Sequence, residues 1–150
     1  MNFQKEAITP ECFKEFSGLF HKHWKEIAHY QDIILDPDED FYLKADQLGL
    51  SRLFTIRNEE KVLVGYAVFF VKKNGHYKAS LQASQDILFL DPTLRGSLIG
   101  YRFIKWCDEQ LAAEGVQVVY QHVKVSHDFG SMLERLGYQF IDKIYGKRLD

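Results

Sequence analysis

Hydrophobic residues recur along the chain with two different spacings, which predict helices in some segments and strands in others. Near the N-terminus, aromatic and aliphatic residues fall three or four positions apart and form one apolar stripe, as expected of a helix that packs on a core. The stripe consists of Phe13, Phe16, Phe20, Trp24 and Ile27. Other segments are rich in β-branched and aromatic residues and end at Asn, Gly or Asp, which predicts strands.

Capping and turn residues predict where these elements begin and end. Thr9 and Pro10 start the first helix, and Gly49, Gly115 and Gly137 end the later ones. The predicted helices cover residues 10–29, residues 38–48, a segment that ends at 115, and residues 126–137. The predicted strands cover residues 2–8, 51–57, 62–71, 77–90 and 116–123, with the last strands at 138–148.

The order of the elements predicts a mixed α/β (α+β) sheet flanked by helices, in one domain of residues 1–150. Turn residues at 58–61 and 73–75 predict antiparallel pairing among the strands before the third helix. The β-branched run that follows Gly115 makes a strand, helix and strand crossover, which pairs parallel strands. We therefore expect strand 81–91 to run parallel to strand 116–123 and antiparallel to the strand before it.

Composition narrows the classes of function. The 150 residues carry a formal net charge of −2 and are 46% hydrophobic, which argues against disorder and against a basic surface for nucleic acid. No apolar run approaches the roughly 18 residues of a membrane span. Cys12 and Cys107 lack a Cys-x-x-Cys spacing, so we expect a soluble protein in the reducing cytoplasm. His21, His23 and His29 lack the spacing that brings ligands together on a helix, so we expect no metal site.

The segment 87–111 predicts an anion site. It has the pattern of an apolar strand, a short turn with Pro92 and Gly96, and a helix with Gly100 at its start. The first N–H groups of a helix have no partner within the helix, and the helix dipole adds partial positive charge, so a phosphate can bind there. The spacing fits neither the nucleoside triphosphate loop nor the dinucleotide-binding glycine pattern.

This segment resembles the acyl-CoA-binding motif of the GNAT superfamily of N-acetyltransferases, in which a strand ending in Pro leads into Arg/Gln-x-x-Gly-x-Gly/Ala. Pro92, Arg95 and Gly100 match the motif, whereas Leu98 stands at the position of its middle glycine. Residues 132–138 are similar to the family's Leu-Tyr-Glu-Lys-Leu-Gly-Phe segment. The resemblance implies a GNAT-like fold, acetyl-CoA as the acyl donor and an amine as the acceptor.

The resemblance also implies which residues hold acetyl-CoA. In the family, amides of the loop bind the CoA pyrophosphate and the preceding strand pairs with the pantetheine arm. The corresponding residues here are Leu88, Phe89, Leu90, Arg95, Gly96, Ser97, Leu98, Ile99 and Gly100. Ser126 replaces an asparagine of the family and can hydrogen-bond the pantetheine arm. Shorter matches at 76–77, 82–86, 122–124 and 145–148 resemble a branch of the family common in bacteriophage genomes.

The residue that protonates the leaving thiolate is often a tyrosine in this family, and Leu133 occupies that position here. Two candidate catalytic residues lie near the gap between the motif strand and the next strand. His122 lies where the second strand should diverge, and Asp86 shares a face with Leu88 and Leu90 if no bulge intervenes. A histidine ordinarily titrates near neutral pH, whereas an aspartate needs a raised pKa. Each residue also has a structural alternative to a catalytic role. His122 is then a hydrogen-bonded histidine of a strand, and Asp86 is a carboxylate at a strand edge or turn. Four other polar residues are weaker catalytic candidates, namely His127, Asp128, Tyr120 and Tyr138. Helix capping, interaction with a helix dipole or packing in the core explains them more simply than catalysis does.

Two functions from different classes fit these features. The first is an N-acetyltransferase that moves an acetyl group from acetyl-CoA to an amine of a small molecule or protein, by direct attack on the thioester. The alternative is a catalytically inactive CoA-binding or protein-interaction domain of the same fold, which Leu98 and Leu133 both allow. We expect no nucleic-acid or membrane partner. The sequence leaves the acceptor and the oligomeric state open, with a homodimer among the alternatives.

Overall fold

Five strands form one mixed sheet, and helices cover both of its faces. The computed structural model describes all 150 residues, Met1 to Asp150. The strands are β1 (Asn2–Glu6), β2 (Ser51–Arg57), β3 (Leu63–Lys73), β4 (Leu81–Leu90) and β5 (Val118–Tyr120). The helices are α1 (Pro10–Ile27), α2 (Glu39–Gln47), α3 (Ile99–Ala113) and α4 (Gly130–Arg135), with a 3₁₀ turn at Pro92–Leu94. None of these helices combines the length and the apolar character needed to cross a bilayer.

The strand order β1-β2-β3-β4-β5 confirms the predicted topology. The first four strands pair antiparallel. β5 runs parallel to β4, with Gln82 opposite Val118 and Ser84 opposite Tyr120, and α3 makes the crossover between them. The predicted mixed sheet flanked by helices is therefore correct.

Each face of the sheet carries its own hydrophobic core. On one face α1 packs against the strands through three buried phenylalanines, Phe13, Phe16 and Phe20. This helix begins where the sequence predicts, because the hydroxyl of Thr9 accepts the N–H of Cys12 at 3.1 Å. On the other face α3 packs through Phe103, Cys107 and Leu111. The α1 face of the sheet also receives α2, whose Tyr42 and Leu43 pack against the same core as Ile87 and Phe89 of β4.

β4 contains a bulge at Asp86. Val68 of β3 lies opposite Ile87, but the next residue, Phe69, lies opposite Gln85, so Asp86 has no partner in β3. An extra residue in one strand reverses the alternation of side chains on either side of it. Bulges of this kind often re-aim a side chain beside a functional site.

The bulge changes the face on which Asp86 lies. Leu88 and Leu90 contact the α3 core, whereas the carboxylate of Asp86 accepts a hydrogen bond from Tyr42 of α2. The sequence puts Asp86 on the face of Leu88 and Leu90 only if no bulge intervenes. The extra residue in β4 is such a bulge, so Asp86 lies on the opposite face.

β4 and β5 separate after three paired residues. Main-chain pairing ends at Ser84 and Tyr120, and beyond it the side chain of Gln85 accepts the N–H of His122 at 2.8 Å. β5 is therefore shorter than the predicted 116–123. Because a side chain takes the place of the next ladder hydrogen bond, the two strands diverge at this point, and His122 lies just past the end of β5.

The prediction of final strands at 138–148 is wrong. No main-chain hydrogen bond joins residues 139–150 to the rest of the chain. The segment is held instead by the hydroxyl of Tyr138, which donates to Asp108 at 2.6 Å, and by an ion pair of Arg148 with Asp32. These contacts direct it toward the loop between α1 and α2. It therefore adds no strand to β5, and its apolar side chains stay exposed: Phe140, Ile141, Ile144, Tyr145 and Leu149.

The last helix also starts later than predicted. α4 begins at Gly130, whose N–H donates to the carboxylate of Asp128 at 2.8 Å. Ser126 does not cap the helix, and its hydroxyl lies 3.2 Å from a ring nitrogen of His127. The capping role predicted for Ser126 is wrong because Asp128 lies closer to the first turn and supplies the acceptor.

Candidate active site

The loop between β4 and α3 presents backbone N–H groups that have no acceptor in the chain. Five amides donate no hydrogen bond, namely those of Gly96, Ser97, Leu98, Gly100 and Tyr101. The N–H of Ile99 reaches only the hydroxyl of Ser97, at 3.3 Å. Gly96 has a φ of +80°, in the region that favours glycine. Unpaired N–H groups at the start of a 15-residue helix suit an anion such as a phosphate.

The side chain of Arg95 fixes this loop against α1. Its Nε donates to the carbonyl of Leu90 at 2.9 Å, and its other end pairs with Glu26 at 2.8 Å. The guanidinium also lies 5.8 Å from the ring centre of Phe89. The Leu90 carbonyl, which the family resemblance assigns to the pantetheine arm, therefore already has a donor within the chain.

Gly100 and Leu98 differ in what surrounds them. A side-chain carbon at Gly100 would lie 3.6 Å from Leu90 and 3.9 Å from Met132, so glycine leaves room between β4 and α4. Leu98 has a φ of −76°, a conformation that does not require glycine. Its side chain is 62% exposed. The departure from the family motif at Leu98 therefore leaves the amides in place and adds a side chain that faces solvent.

A cluster of polar side chains lies where β4 and β5 separate. The hydroxyl of Tyr42 donates to Asp86 at 2.6 Å. The hydroxyl of Ser84 lies 3.0 Å from Nε2 of His122, and Gln85 holds the N–H of the same histidine. The structure thus brings both predicted catalytic residues, His122 and Asp86, into one cluster on the side of the sheet that α2 covers.

The surroundings of Asp86 shift its proton affinity. Burial raises the pKa of this carboxyl, while the hydrogen bond from Tyr42 and the charge of His122 act in the opposite direction. No lysine or arginine forms an ion pair with Asp86. Burial and the neighbouring Asp86 raise the pKa of Tyr42, so its phenol stays protonated and donates. The cluster can therefore attract a cation and exchange a proton.

Besides Ser84, sequence reasoning missed two members of this cluster, Tyr42 and Gln85. Tyr42 lies 44 residues before Asp86, on a helix whose aromatic residues look like core packing. Gln85 neighbours Asp86 in a strand whose bulge no local pattern reveals. The pattern of hydrophobic residues carries no signal for either side chain.

His23 is a further histidine close to the loop. It packs 5.2 Å from the ring of Phe89, and burial lowers its pKa to about 4. Glu26 opposes this shift, while Arg95 and Lys124 reinforce it. A neutral imidazole at this place indicates a packing role beside the loop.

The remaining candidates from the sequence lie outside the cluster. Leu133 is 5% exposed and belongs to the core. Ser126 and His127 are exposed and contact each other. Tyr138 donates to Asp108 of α3. Asp128 supplies the acceptor for the start of α4, as a cap does.

Two other kinds of site find little support. No three His, Cys, Asp or Glu side chains lie close enough together to hold a metal ion. A surface concavity lies beside Met1 and Arg57, away from the polar cluster. Arg57 already pairs with Glu6 and Glu15, so its charge is not available to a ligand. We assign no function to that concavity.

Solved structures with this architecture include acetyltransferases. A ribosomal-protein-alanine N-acetyltransferase from Brucella melitensis biovar Abortus 2308 superposes with a TM-score of 0.71 at 14% identity, covering 99% of this chain and 100% of that one. An aminoglycoside acetyltransferase from an uncultured soil metagenomic sample, in complex with sisomicin, gives a TM-score of 0.72 at 16% identity, with coverage of 98% and 96%. The chain has the GNAT N-acetyltransferase fold.

A third structure with the GNAT fold contains the acyl donor. It is a predicted acetyltransferase from Clostridium acetobutylicum with acetyl-CoA, which has a TM-score of 0.73 at 10% identity and coverage of 99% and 96%. No protein-family model matches the sequence, and comparison with curated proteins also gives no match. At these identities the likeness confirms the predicted fold, and the chemistry has to be argued from the residues.

Proposed function

We propose that residues 1–150 form one N-acetyltransferase domain that transfers an acetyl group from acetyl-CoA to an amine. The observation that carries this proposal is the pairing of two features at the end of β4. Unpaired amides from Gly96 to Tyr101 suit a pyrophosphate, and the polar cluster of Asp86 and His122 lies where β4 and β5 diverge. The GNAT fold of the acetyltransferases described above supports the same reaction.

The residues present fit acetyl-CoA in character. Loop amides can donate hydrogen bonds to phosphate oxygens, and Gly100 leaves space beside Leu90 and Met132. We propose that the acyl donor is held by Leu88, Phe89, Leu90, the loop 95–100 and Ser126. The carbonyl of Leu90 already accepts a hydrogen bond from Arg95, so it is less available to the pantetheine arm. The donor supplies an activated acetyl group, and the protein supplies position and proton transfer.

The reaction needs two proton movements, and we propose that the cluster provides both. An ammonium acceptor must lose a proton before its nitrogen attacks the thioester carbon. Collapse of the tetrahedral intermediate breaks the carbon–sulfur bond, releases a second proton from nitrogen and leaves a thiolate that takes up one proton. Asp86 attracts the ammonium group and receives or relays its proton. His122 protonates the thiolate, since the usual family tyrosine is absent at Leu133.

The acceptor is an amine of a small molecule or a protein. The names of the similar structures include a ribosomal-protein-alanine N-acetyltransferase and an aminoglycoside acetyltransferase, and both activities act on amines. The kinship with a bacteriophage branch of the family stays a prediction from the sequence.

A second candidate function is a catalytically inactive CoA-binding or protein-interaction domain. The observation that favours it is the burial of Leu133. This leucine stands at the position where the family often has the tyrosine that protonates the leaving thiolate. Such a domain would bind acetyl-CoA without releasing its thiol. Binding and turnover therefore need separate measurements.

Thermal unfolding with acetyl-CoA tests the binding half of the proposal. At about 100 times the dissociation constant, a ligand that binds only the folded state adds about 2.7 kcal/mol of stability. We expect the wild type to show this gain and Gly100→Trp to lose it, because the indole would fill the space beside Leu90 and Met132.

Gly18→Trp is the matched control, since a side chain at this exposed helical position meets nothing within 4 Å. It should keep the gain. An unchanged melting temperature of the wild type at millimolar acetyl-CoA would remove the basis of the proposal.

We propose in addition a cytoplasmic location and a homodimer. The location is supported by two buried free thiols, Cys12 and Cys107, which a reducing compartment preserves. The homodimer is supported by the unpaired edge of β5 and by the exposed apolar residues of segment 139–150. Light scattering of the full chain tests the second proposal, and a monomeric mass at micromolar concentration would refute it.

A further inference from the structure

The hydroxyl of Ser84 lies within hydrogen-bond distance of a histidine ring. Its Oγ is 3.0 Å from Nε2 of His122, and this is the only hydrogen-bond partner that the hydroxyl has in the chain. The hydroxyls of Ser17 and Ser97 instead donate to main-chain carbonyls. A hydroxyl whose only partner is an imidazole nitrogen at this distance has the geometry of a nucleophile beside its general base.

The main chain holds both residues of this pair in place. Ser84 pairs with Phe70 of β3 and with Tyr120 of β5, so its backbone is fixed on both sides. The N–H of His122 donates to the side chain of Gln85 at 2.8 Å. Ser84 is half-buried and His122 is exposed. The pair is therefore fixed by the fold at the point where β4 and β5 separate, and a small molecule can reach it from solvent.

A carboxylate lies on the same face of the sheet as this pair. Cross-strand neighbours share a face, and Phe70, which lies opposite Ser84, packs on α2. Asp86 contacts the same helix through Tyr42. Burial raises the pKa of Asp86, and the charge of His122 acts in the opposite direction, so the two groups interact. A carboxylate near the histidine stabilises the imidazolium that forms when the ring takes a proton from a hydroxyl, as in enzymes with a Ser-His-Asp triad.

The other serine–histidine contact of the chain has a different origin. Ser126 and His127 are consecutive residues of an exposed loop, and their contact of 3.2 Å involves Nδ1. Side chains of consecutive residues meet because the chain joins them. Ser84 and His122 are 38 residues apart, and they meet only because α3 returns the chain to pair β5 with β4.

We propose that Ser84 and His122 form a nucleophile and base pair that takes acetyl groups from small activated esters and thioesters, giving the protein an esterase activity beyond amine acetylation. Nε2 takes the hydroxyl proton while Oγ forms a bond to the carbonyl carbon. The bond from that carbon to the leaving oxygen or sulfur breaks, and the proton passes from Nε2 to the leaving group. Water then attacks the acetyl-serine, releases acetic acid and returns one proton through Nε2 to Oγ.

An ester without CoA tests the pair directly. We expect para-nitrophenyl acetate and the full-length wild type, without amine, to give a burst of para-nitrophenol stoichiometric with the protein. Mass spectrometry of the acid-quenched protein should place one acetyl group on Ser84. Neutral hydroxylamine should remove this group, because it cleaves an ester and leaves the amides formed by chemical acetylation of lysines. Absence of an acetyl group from Ser84 would overturn the inference.

Variants of the pair distinguish the nucleophile from the base. Ser84→Ala should lose the burst, and Ser84→Cys should keep it because a thiol replaces the hydroxyl. His122→Ala should slow acylation at least about tenfold, since general base catalysis contributes about 10² to 10⁴ in rate. Ser17→Ala is the matched control, because Ser17 is also half-buried and its hydroxyl donates within its own helix. A burst that survives Ser84→Ala and disappears in His122→Ala would show that the imidazole takes the acetyl group, and would contradict a serine nucleophile.

Thermal unfolding with acetyl-CoA, measured on the same proteins, separates this inference from the proposed function. Acetyl-serine formed from para-nitrophenyl acetate, without stabilisation by acetyl-CoA, would support the pair and refute the proposed function. Stabilisation by acetyl-CoA and amine-dependent thiol release, with no acetyl group on Ser84, would overturn the pair alone. Acetyl-CoA is itself a thioester, so the wild type should also release some thiol without amine. Ser84→Ala should lose this release, and an unchanged rate would count against the pair.

Discussion

The hydrogen bond between Tyr42 and Asp86 sets the charge of the carboxylate that we expect to meet the acceptor. Burial raises the pKa of Asp86, and the Tyr42 hydroxyl lowers it by stabilising the ionised form. The titratable groups that face this carboxylate are Tyr42, Tyr66 and His122. The balance among them decides the pH at which the site becomes negative.

Tyr42→Phe keeps the ring and removes the hydroxyl. The pKa of Asp86 should then rise, since the interaction that lowers it is lost while burial remains. A group with a raised pKa is ionised only at higher pH, so the acid limb of the profile of kcat/KM for the amine should move upward in pH. Acetyl-CoA stabilisation should stay unchanged.

Tyr145→Phe is the control for this change, because Tyr145 is 88% exposed and forms no hydrogen bond in the chain. Its pH profile should match that of the wild type. If the acid limb of Tyr42→Phe stays at the wild-type pH, the hydroxyl does not control Asp86 and Tyr42 serves only as packing.

At the scale of elements, the separation of β4 from β5 is what creates the site. Parallel strands normally continue their ladder, but here the Gln85 side chain takes the N–H of His122. This contact holds the histidine beside Ser84 and keeps the two strands apart. Gln85 itself is 8% exposed, so water does not easily replace its amide.

Gln85→Ala should therefore affect both stability and turnover. Loss of a buried hydrogen bond of this kind costs about 1 to 2 kcal/mol of unfolding free energy, which urea denaturation measures. Turnover of the amine should fall as well, because His122 loses its anchor. Gln117→Ala, at an exposed position just before β5, should change neither quantity. A less stable Gln85→Ala protein with wild-type turnover would show that the contact is structural only.

The elements that sequence reasoning placed correctly are those with local signals. β2 occupies residues 51–57 as predicted, and α1 starts at Pro10 because Thr9 caps it. The bulge at Asp86 has no such signal, since it depends on the register between β4 and β3. The turn and glycine pattern predicted free amides from Arg95 to Gly100, but the Arg95 N–H donates to the carbonyl of Pro92 and the Tyr101 N–H is free instead. The contact between Tyr42 and Asp86 required the packing of α2 on the sheet.

At the scale of the whole molecule, the C-terminal segment shows where local pattern is insufficient. Its apolar and β-branched residues predict strands, yet the ion pair of Arg148 with Asp32 directs the segment toward the loop between α1 and α2. β5 therefore keeps a free edge next to the site. Strand formation depends on a partner edge being within reach, which residue composition does not specify.

The whole fold brings together the loop of unpaired amides and the polar cluster of Asp86 and His122 around the end of β4. The loop lies at the start of α3, and the cluster combines the ends of β4 and β5 with Tyr42 of α2. The proposed acetyl transfer requires both at once, so the measurement that tests it has to detect the complete reaction.

That measurement is the release of free thiol from acetyl-CoA, with and without 1,5-diaminopentane, by the wild type and by His122→Ala. We predict amine-dependent release by the wild type. His122→Ala should keep its stabilisation by acetyl-CoA and lose at least about tenfold in turnover, because general acid catalysis contributes about 10² to 10⁴ in rate. His76→Ala, which changes an exposed histidine in the turn before β4, should match the wild type. Absence of amine-dependent thiol release by a wild-type protein that acetyl-CoA stabilises would contradict the account and favour the inactive domain.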